Sequence, residues 1–184
     1  SYPSIVKDVP VGNVLLIDDG ETALKVVEKT NDYLLVEVQN DGTIGSRKSV
    51  NIPGVSIQLP SITEKDKKCI EIAIKYGADF IAHSFVRHKG DVLDVQKILD
   101  AHNSNIKIIA KIENQEGVDN IDEIYEHAYG VMVARGDLGI EVPQENIPGI
   151  QRLLIRKAIE YKKPVIVATQ MLHTMIENPR PTRA

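Results

Sequence analysis

Tryptophan is absent and phenylalanine occurs only twice, so valine, isoleucine, leucine and alanine must fill the interior. That aliphatic bias suits buried parallel strands better than an aromatic binding surface. A single cysteine, Cys69, excludes an internal disulfide and fits a reducing, cytoplasmic setting. Its helical spacing predicts a small buried side chain rather than a redox group. No excess of positive charge exists: the net charge of −4 argues against a nucleic-acid partner. No apolar run has the length needed to span a bilayer, and the start, Ser1-Tyr2-Pro3-Ser4, lacks the features of a secretory signal. The five histidines, His83, His88, His102, His127 and His173, show no zinc-ligand spacing, and His102 and His127 fall at helix ends. Neither a Ser-His-Asp order nor a nucleophile elbow is present.

What the chain does contain is an ordinary globular balance, 42% apolar and 26% charged, distributed over 184 residues in two textures. Up to residue 50 the apolar runs are short. Val14–Ile17, Thr22–Val27 and Leu34–Val38 read as strands, separated by Asp18-Asp19-Gly20 and Asn31-Asp32 turns. They predict part of a small all-β module, residues 1–50. Asn51-Ile52-Pro53-Gly54 marks a crossing point into a second module, residues 51–184.

There the period changes. Thr63-Glu64-Lys65-Asp66 has the form of a capping box, and Cys69, Ile70, Ala73 and Ile74 continue a helix until Gly77. Strands are expected at 80–85, 106–112, 131–134 and 164–168. Helices are expected at 91–101, 118–127 and 149–161, with a last one from Met171. This alternation predicts βαβ units and a parallel sheet, in an α/β fold. The alternation alone does not separate an open sheet from a closed β/α barrel. No Gly-rich dinucleotide fingerprint follows a strand, which weakens the open Rossmann option.

Polar residues at the strand ends favour the barrel, whose chemistry gathers there. The four ends carry Ser84 and Arg87; Lys111 and Glu113; Arg135, Gly136 and Asp137; Thr169 and Gln170. Residues two apart on a strand share a face, roughly 7 Å apart, so Lys111 and Glu113 point together. They could form only an ion pair. Asp137, expected to close the next strand, supplies a second carboxylate, and two carboxylates with few other ligands suit Mg²⁺. Gly136 and Gly139 serve equally as turn-formers or as openings for backbone N–H groups toward an anion. Arg135 suits anion binding or structural pairing alike. Thr169 is placed to cap a following helix while its hydroxyl faces the same mouth.

Taken with their neighbours, these residues resemble the pyruvate kinase family. The strings that carry the resemblance are Val50-Asn51-Ile52-Pro53-Gly54, Ser84-Phe85-Val86-Arg87 and Lys111-Ile112-Glu113-Asn114-Gln115-Glu116-Gly117. Further on stand Met132-Val133-Ala134-Arg135-Gly136-Asp137-Leu138-Gly139-Ile140-Glu141, Ala168-Thr169-Gln170-Met171-Leu172 and Asn178-Pro179-Arg180-Pro181-Thr182-Arg183-Ala184. The resemblance implies a partial (β/α)8 barrel with part of a β-barrel lid, truncated on both sides. It implies that Glu113 and Asp137 bind Mg²⁺ or Mn²⁺, and that Lys111 stabilises the transferring phosphoryl group and the enolate. Gly136, Asp137, Thr169 and Lys111 would contact the substrate, and Lys48 a nucleotide phosphate. Asp19 in the lid turn could approach the nucleotide, although its residue type suits a turn. Ser49, His83 and His88 depart from the family pattern.

The implied reaction passes a phosphoryl group from phosphoenolpyruvate to ADP, giving pyruvate and ATP, with Thr169 and water as a proton relay. K⁺ and a homotetramer are implied for the full-length protein, with the K⁺ ligands outside this chain. The rival readings are a magnesium-dependent, enolate-forming lyase on the same barrel and a non-catalytic piece.

Overall fold

A computed structural model describes residues 4–55, 60–171 and 173–177. The chain divides into two compact units: Ser1–Leu59 with Ile140–Val142, and Pro60–Gly139 with Pro143–Ala184.

The first unit opens with a short helix α1 (Ile5–Asp8), followed by strands β1 (Val14–Ile17), β2 (Thr22–Lys29), β3 (Leu34–Val38) and β4 (Val50–Asn51). They form one antiparallel sheet in the order β3-β2-β1-β4. Its core is Val9, Leu15, Val26 and Ile52, with Leu24, Leu34 and Val36 packed against it. The β1–β2 turn places Asp18 and Asp19 both at φ 57°, a left-handed conformation that short polar side chains tolerate. Neither α1 nor β4 is expected from the sequence. The Val50-Asn51 pair joins the sheet through Leu16 and Ile17 rather than serving only as a crossing point.

In the second unit, α2 (Glu64–Lys75) starts on the expected box: Thr63 and Asp66 cap each other's backbone N–H. It ends before Gly77, whose φ of 66° is left-handed and open to glycine at little cost. Then come β5 (Phe80–His83), α3 (Lys89–Ala101), β6 (Lys107–Ile112), α4 (Gln115–Asp119), α5 (Ile121–His127) and β7 (Gly130–Ala134). They are followed by α6 (Arg135–Glu141), α7 (Ile147–Tyr161) and β8 (Val165–Ala168). The four strands form a parallel sheet in chain order, β5-β6-β7-β8. Parallel pairing needs long crossovers, which the helices supply. Val92, Val95 and Leu99 of α3, Ile124 and Tyr125 of α5, and Leu154 and Ala158 of α7 are buried. Tyr125 is anchored by its hydroxyl, which donates to the Leu154 carbonyl at 2.9 Å.

Several expectations are corrected. Cys69 lies on α2 but is exposed, because that helix buries only Ile70 and leaves Ile72 and Tyr76 open as well. Neighbouring helix positions stand about 100° apart, so an apolar run does not say which of its members faces inward. The single helix expected at 118–127 is two, divided at Asn120. The strand expected to run to Phe85 ends at His83. No α-helix starts at Met171; a 3₁₀ turn occupies His173–Ile176. Leu172 and the string from Asn178 to Ala184 lie outside the described residues.

Candidate active site at the ends of the parallel strands

The strands run the same way, so the residue that follows each one lies toward one edge of the sheet. Those residues are Ser84, Glu113, Arg135 and Thr169. All four are polar or charged, and the side chains of the first three bond to residues of a neighbouring strand or its end.

Lys111 is the penultimate residue of β6, and its Nζ lies 2.5 Å from Glu113 Oε1. It also donates to Ser84 Oγ at 3.0 Å. Strand alternation accounts for this, since Ile112 between them turns the other way and is fully buried. Glu113 is itself only 2% exposed. Its second oxygen, Oε2, accepts the Phe85 backbone N–H at 2.8 Å. Burial raises the Glu113 pKa above the ordinary carboxyl value; Lys111 and the Phe85 N–H pull it back down, and the charge of Asp137 pushes it up. Asp137 therefore acts electrostatically on Glu113.

Asp137 does not close a strand, as the sequence suggests, but sits in the first turn of α6. Gly136 and Gly139 are likewise helical, so they are not turn-formers. Glycine in a helix costs about 1 kcal/mol; the burial of Arg135, Gly136 and Leu138 within the fold overrides that preference. A carboxylate in a helix's first turn is favoured by the helix dipole.

Arg135 resolves to structural pairing. Its guanidinium is buried, donating from Nε to the Ala168 carbonyl at 3.0 Å and from one terminal nitrogen to Thr169 and Gln170 carbonyls at 2.6 and 2.8 Å. One side chain thus ties the end of β7 to the segment leaving β8. Thr169 has a φ of 70°, unusual for a β-branched residue, and its side chain is exposed. It caps no following α-helix. Arg135→Lys should lower stability by roughly 2–3 kcal/mol, because one ammonium cannot reproduce a planar fork on three carbonyls. Urea denaturation, with amide exchange at 168–170, measures it.

Arg87 pairs locally with Asp91, four residues on. Asp91, 2% exposed, accepts from the Arg87 backbone N–H, Nε and a terminal nitrogen. In the first unit, Lys48 pairs with Asp18 at 2.6 Å, and this contact raises its pKa. Asp19 is a turn residue, with Ser49 Oγ accepting its N–H and donating to Oδ1. Phe85 is the residue that sequence reasoning missed at the cluster. No composition signal marks a phenylalanine whose role lies in its peptide N–H.

Among the described residues, no group of three or more histidine, cysteine or acidic side chains is arranged to hold a metal. The Glu113–Asp137 pair nevertheless fits a hard divalent ion. Such an ion accepts two carboxylates and fills its remaining positions with water and substrate oxygens. It would also stabilise the ionised form that burial disfavours at Glu113.

A parallel sheet with polar and charged groups beyond the carboxyl ends of its strands, joined by helices, defines an α/β protein. The family described as pyruvate kinase, barrel domain, matches residues 1–184, and the chain belongs to the pyruvate kinase family. The protein named pyruvate kinase in Borreliella burgdorferi is 60% identical over 185 residues, spanning 100% of this chain and 39% of that relative. Those of Geobacillus stearothermophilus and Clostridium acetobutylicum are 54% and 51% identical over 187 residues. The chain covers 32% and 39% of their lengths, well under half of each relative. No helix among the described residues is long and apolar enough to cross a membrane.

Proposed function

We propose that the protein to which this chain belongs transfers a phosphoryl group from phosphoenolpyruvate to ADP, forming pyruvate and ATP in the cytoplasm. The observation that carries this reading is the Lys111–Glu113 contact at the carboxyl end of β6, with Asp137 in the first turn of the helix that follows β7, in a chain of this family. The sheet is part of a (β/α)8 barrel, and residues 1–50 are part of a lid that closes over the nucleotide. Glu113 and Asp137 hold Mg²⁺ or Mn²⁺. When bound, that ion supplies Lewis-acid charge to the phosphoryl and enolate oxygens.

The chain's own residues do the rest. Lys111, steadied by Ser84 and Glu113, holds a cation where negative charge develops as the phosphorus–oxygen bond of the substrate breaks. Gly136, Asp137 and Thr169 position the carboxylate substrate, and Lys48 binds a nucleotide phosphate after exchanging its Asp18 partner. The enolate carbon gains a proton delivered by water beside the Thr169 hydroxyl. K⁺ and the tetramer contacts belong to other parts of the longer protein, so the 184 residues alone are inactive in this reading.

The full-length protein, given ADP, phosphoenolpyruvate and Mg²⁺, should form ATP and pyruvate in equal amounts. Cleavage of a carbon–carbon bond without ATP formation would point instead to the lyase.

A further inference from the structure

Phe85 follows β5 by two residues and has a φ of 55°. A Cβ makes that left-handed conformation unfavourable, and a bulky side chain there is a genuine outlier. Packing of the ring does not explain it, since Phe85 is 52% exposed. The peptide does. In this conformation the Phe85 N–H donates to Glu113 Oε2 at 2.8 Å.

The neighbouring backbone is held from several sides. Val86 N–H donates to the Lys111 carbonyl at 3.3 Å, and Val86 is fully buried. Arg87 N–H donates to Asp91 Oδ2 at 2.8 Å, while the Arg87 carbonyl accepts from Asn120 Nδ2 at 2.9 Å. On the far side, α4 comes so near that a Cβ on Gly117 would stand 2.5 Å from the Val86 carbonyl oxygen. Unfavourable backbone persists where surrounding contacts over-determine it, and such places cluster at functional sites.

We infer that Phe85 is a positioning residue: its left-handed backbone aims one N–H at Glu113 and fixes which way that carboxylate faces. Oε2 is held by the peptide and Oε1 by Lys111, so the carboxylate cannot rotate freely. This rests on the reading of Glu113 as the carboxylate that receives the divalent ion. Partners of that kind orient metal ligands, and their loss typically weakens binding about 10–100-fold.

The test is Mn²⁺ affinity, measured by water-proton relaxation on the full-length protein without substrate, for Phe85→Gly, Phe85→Asn, Phe85→Ala and Phe85→Val. Glycine and asparagine enter the left-handed region readily; alanine carries the same Cβ that phenylalanine already holds there, and β-branched valine fits worst. The Gly, Asn and Ala variants should bind Mn²⁺ within about twofold of the parent, and the Val variant about tenfold more weakly. A role for the ring predicts loss in Gly and Ala, with Val the better. That order, or a series flat through Val, overturns the inference. Should Val fail to fold, Gly and Ala still decide, since a role for the ring predicts loss in both. Glu113→Gln runs beside them. A flat series with weakened Glu113→Gln removes the inference alone, whereas unchanged affinity in Glu113→Gln removes the metal reading and the inference with it.

Discussion

Lys111→Met in the full-length protein should lower kcat by at least about 10²–10³-fold, the range lost when one preorganised donor to developing charge is removed. The loss should fall on kcat more than on substrate KM, because Lys111 faces charge that appears during transfer. Methionine retains most of the aliphatic stem, so the fold should persist. It does not persist unchanged with pH. Without the ammonium, Glu113 keeps only the Phe85 N–H against its burial, and its pKa rises further than in the parent. A carboxyl raised in the folded state favours folding below its unfolded pKa and loses that advantage as pH climbs through the folded value. The variant should therefore fall less far below the parent's melting temperature at acid pH than at neutral or alkaline pH. Breaking a buried pair costs roughly 3–5 kcal/mol when the survivor stays charged, and protonation of Glu113 recovers part of that cost at acid pH. Turnover near the parent rate would remove Lys111 from the mechanism.

Glu113→Gln should weaken Mn²⁺ binding by about 100-fold or more, at or beyond the upper end of what outer partners contribute. Gln keeps the shape and can still accept the Phe85 N–H through its carbonyl, so the change isolates charge. A pH series adds a signature. The ion competes with a proton for Glu113, and the Glu113 pKa lies above the ordinary 4.5. Parent affinity should thus fall as pH drops through that raised value. In the Gln variant this part of the pH dependence should disappear. Equal affinity in parent and variant would exclude Glu113 as a ligand.

The parallel sheet was legible because each of its strands is a short aliphatic run between helix-period segments. The start of α2 was legible because Thr63 and Asp66 are a local signal needing nothing beyond four residues. Lys111 and Glu113 could be placed together from the two-residue strand period alone. Asp137 reached the cluster by a route the sequence conceals. The Arg-Gly-Asp-Leu-Gly string reads as a turn, and only burial of Arg135, Gly136 and Leu138 makes it helical. Arg135 left two readings open because an arginine's partners here are carbonyls of residues 168–170, remote in sequence. The left-handed backbones of Phe85 and Thr169 carried no signal, since neither residue type favours positive φ. Cys69 misled because helical spacing reveals a stripe without revealing what lies against it.

The grip of Arg135 on three successive carbonyls has a consequence for how damage in this region will look. Any lesion that loosens the guanidinium frees the Thr169 peptide at the same moment, although the two residues stand 34 apart in the chain. A survey of inactivating substitutions would then score residue 135 as a recognition residue, when its work is that of a rivet.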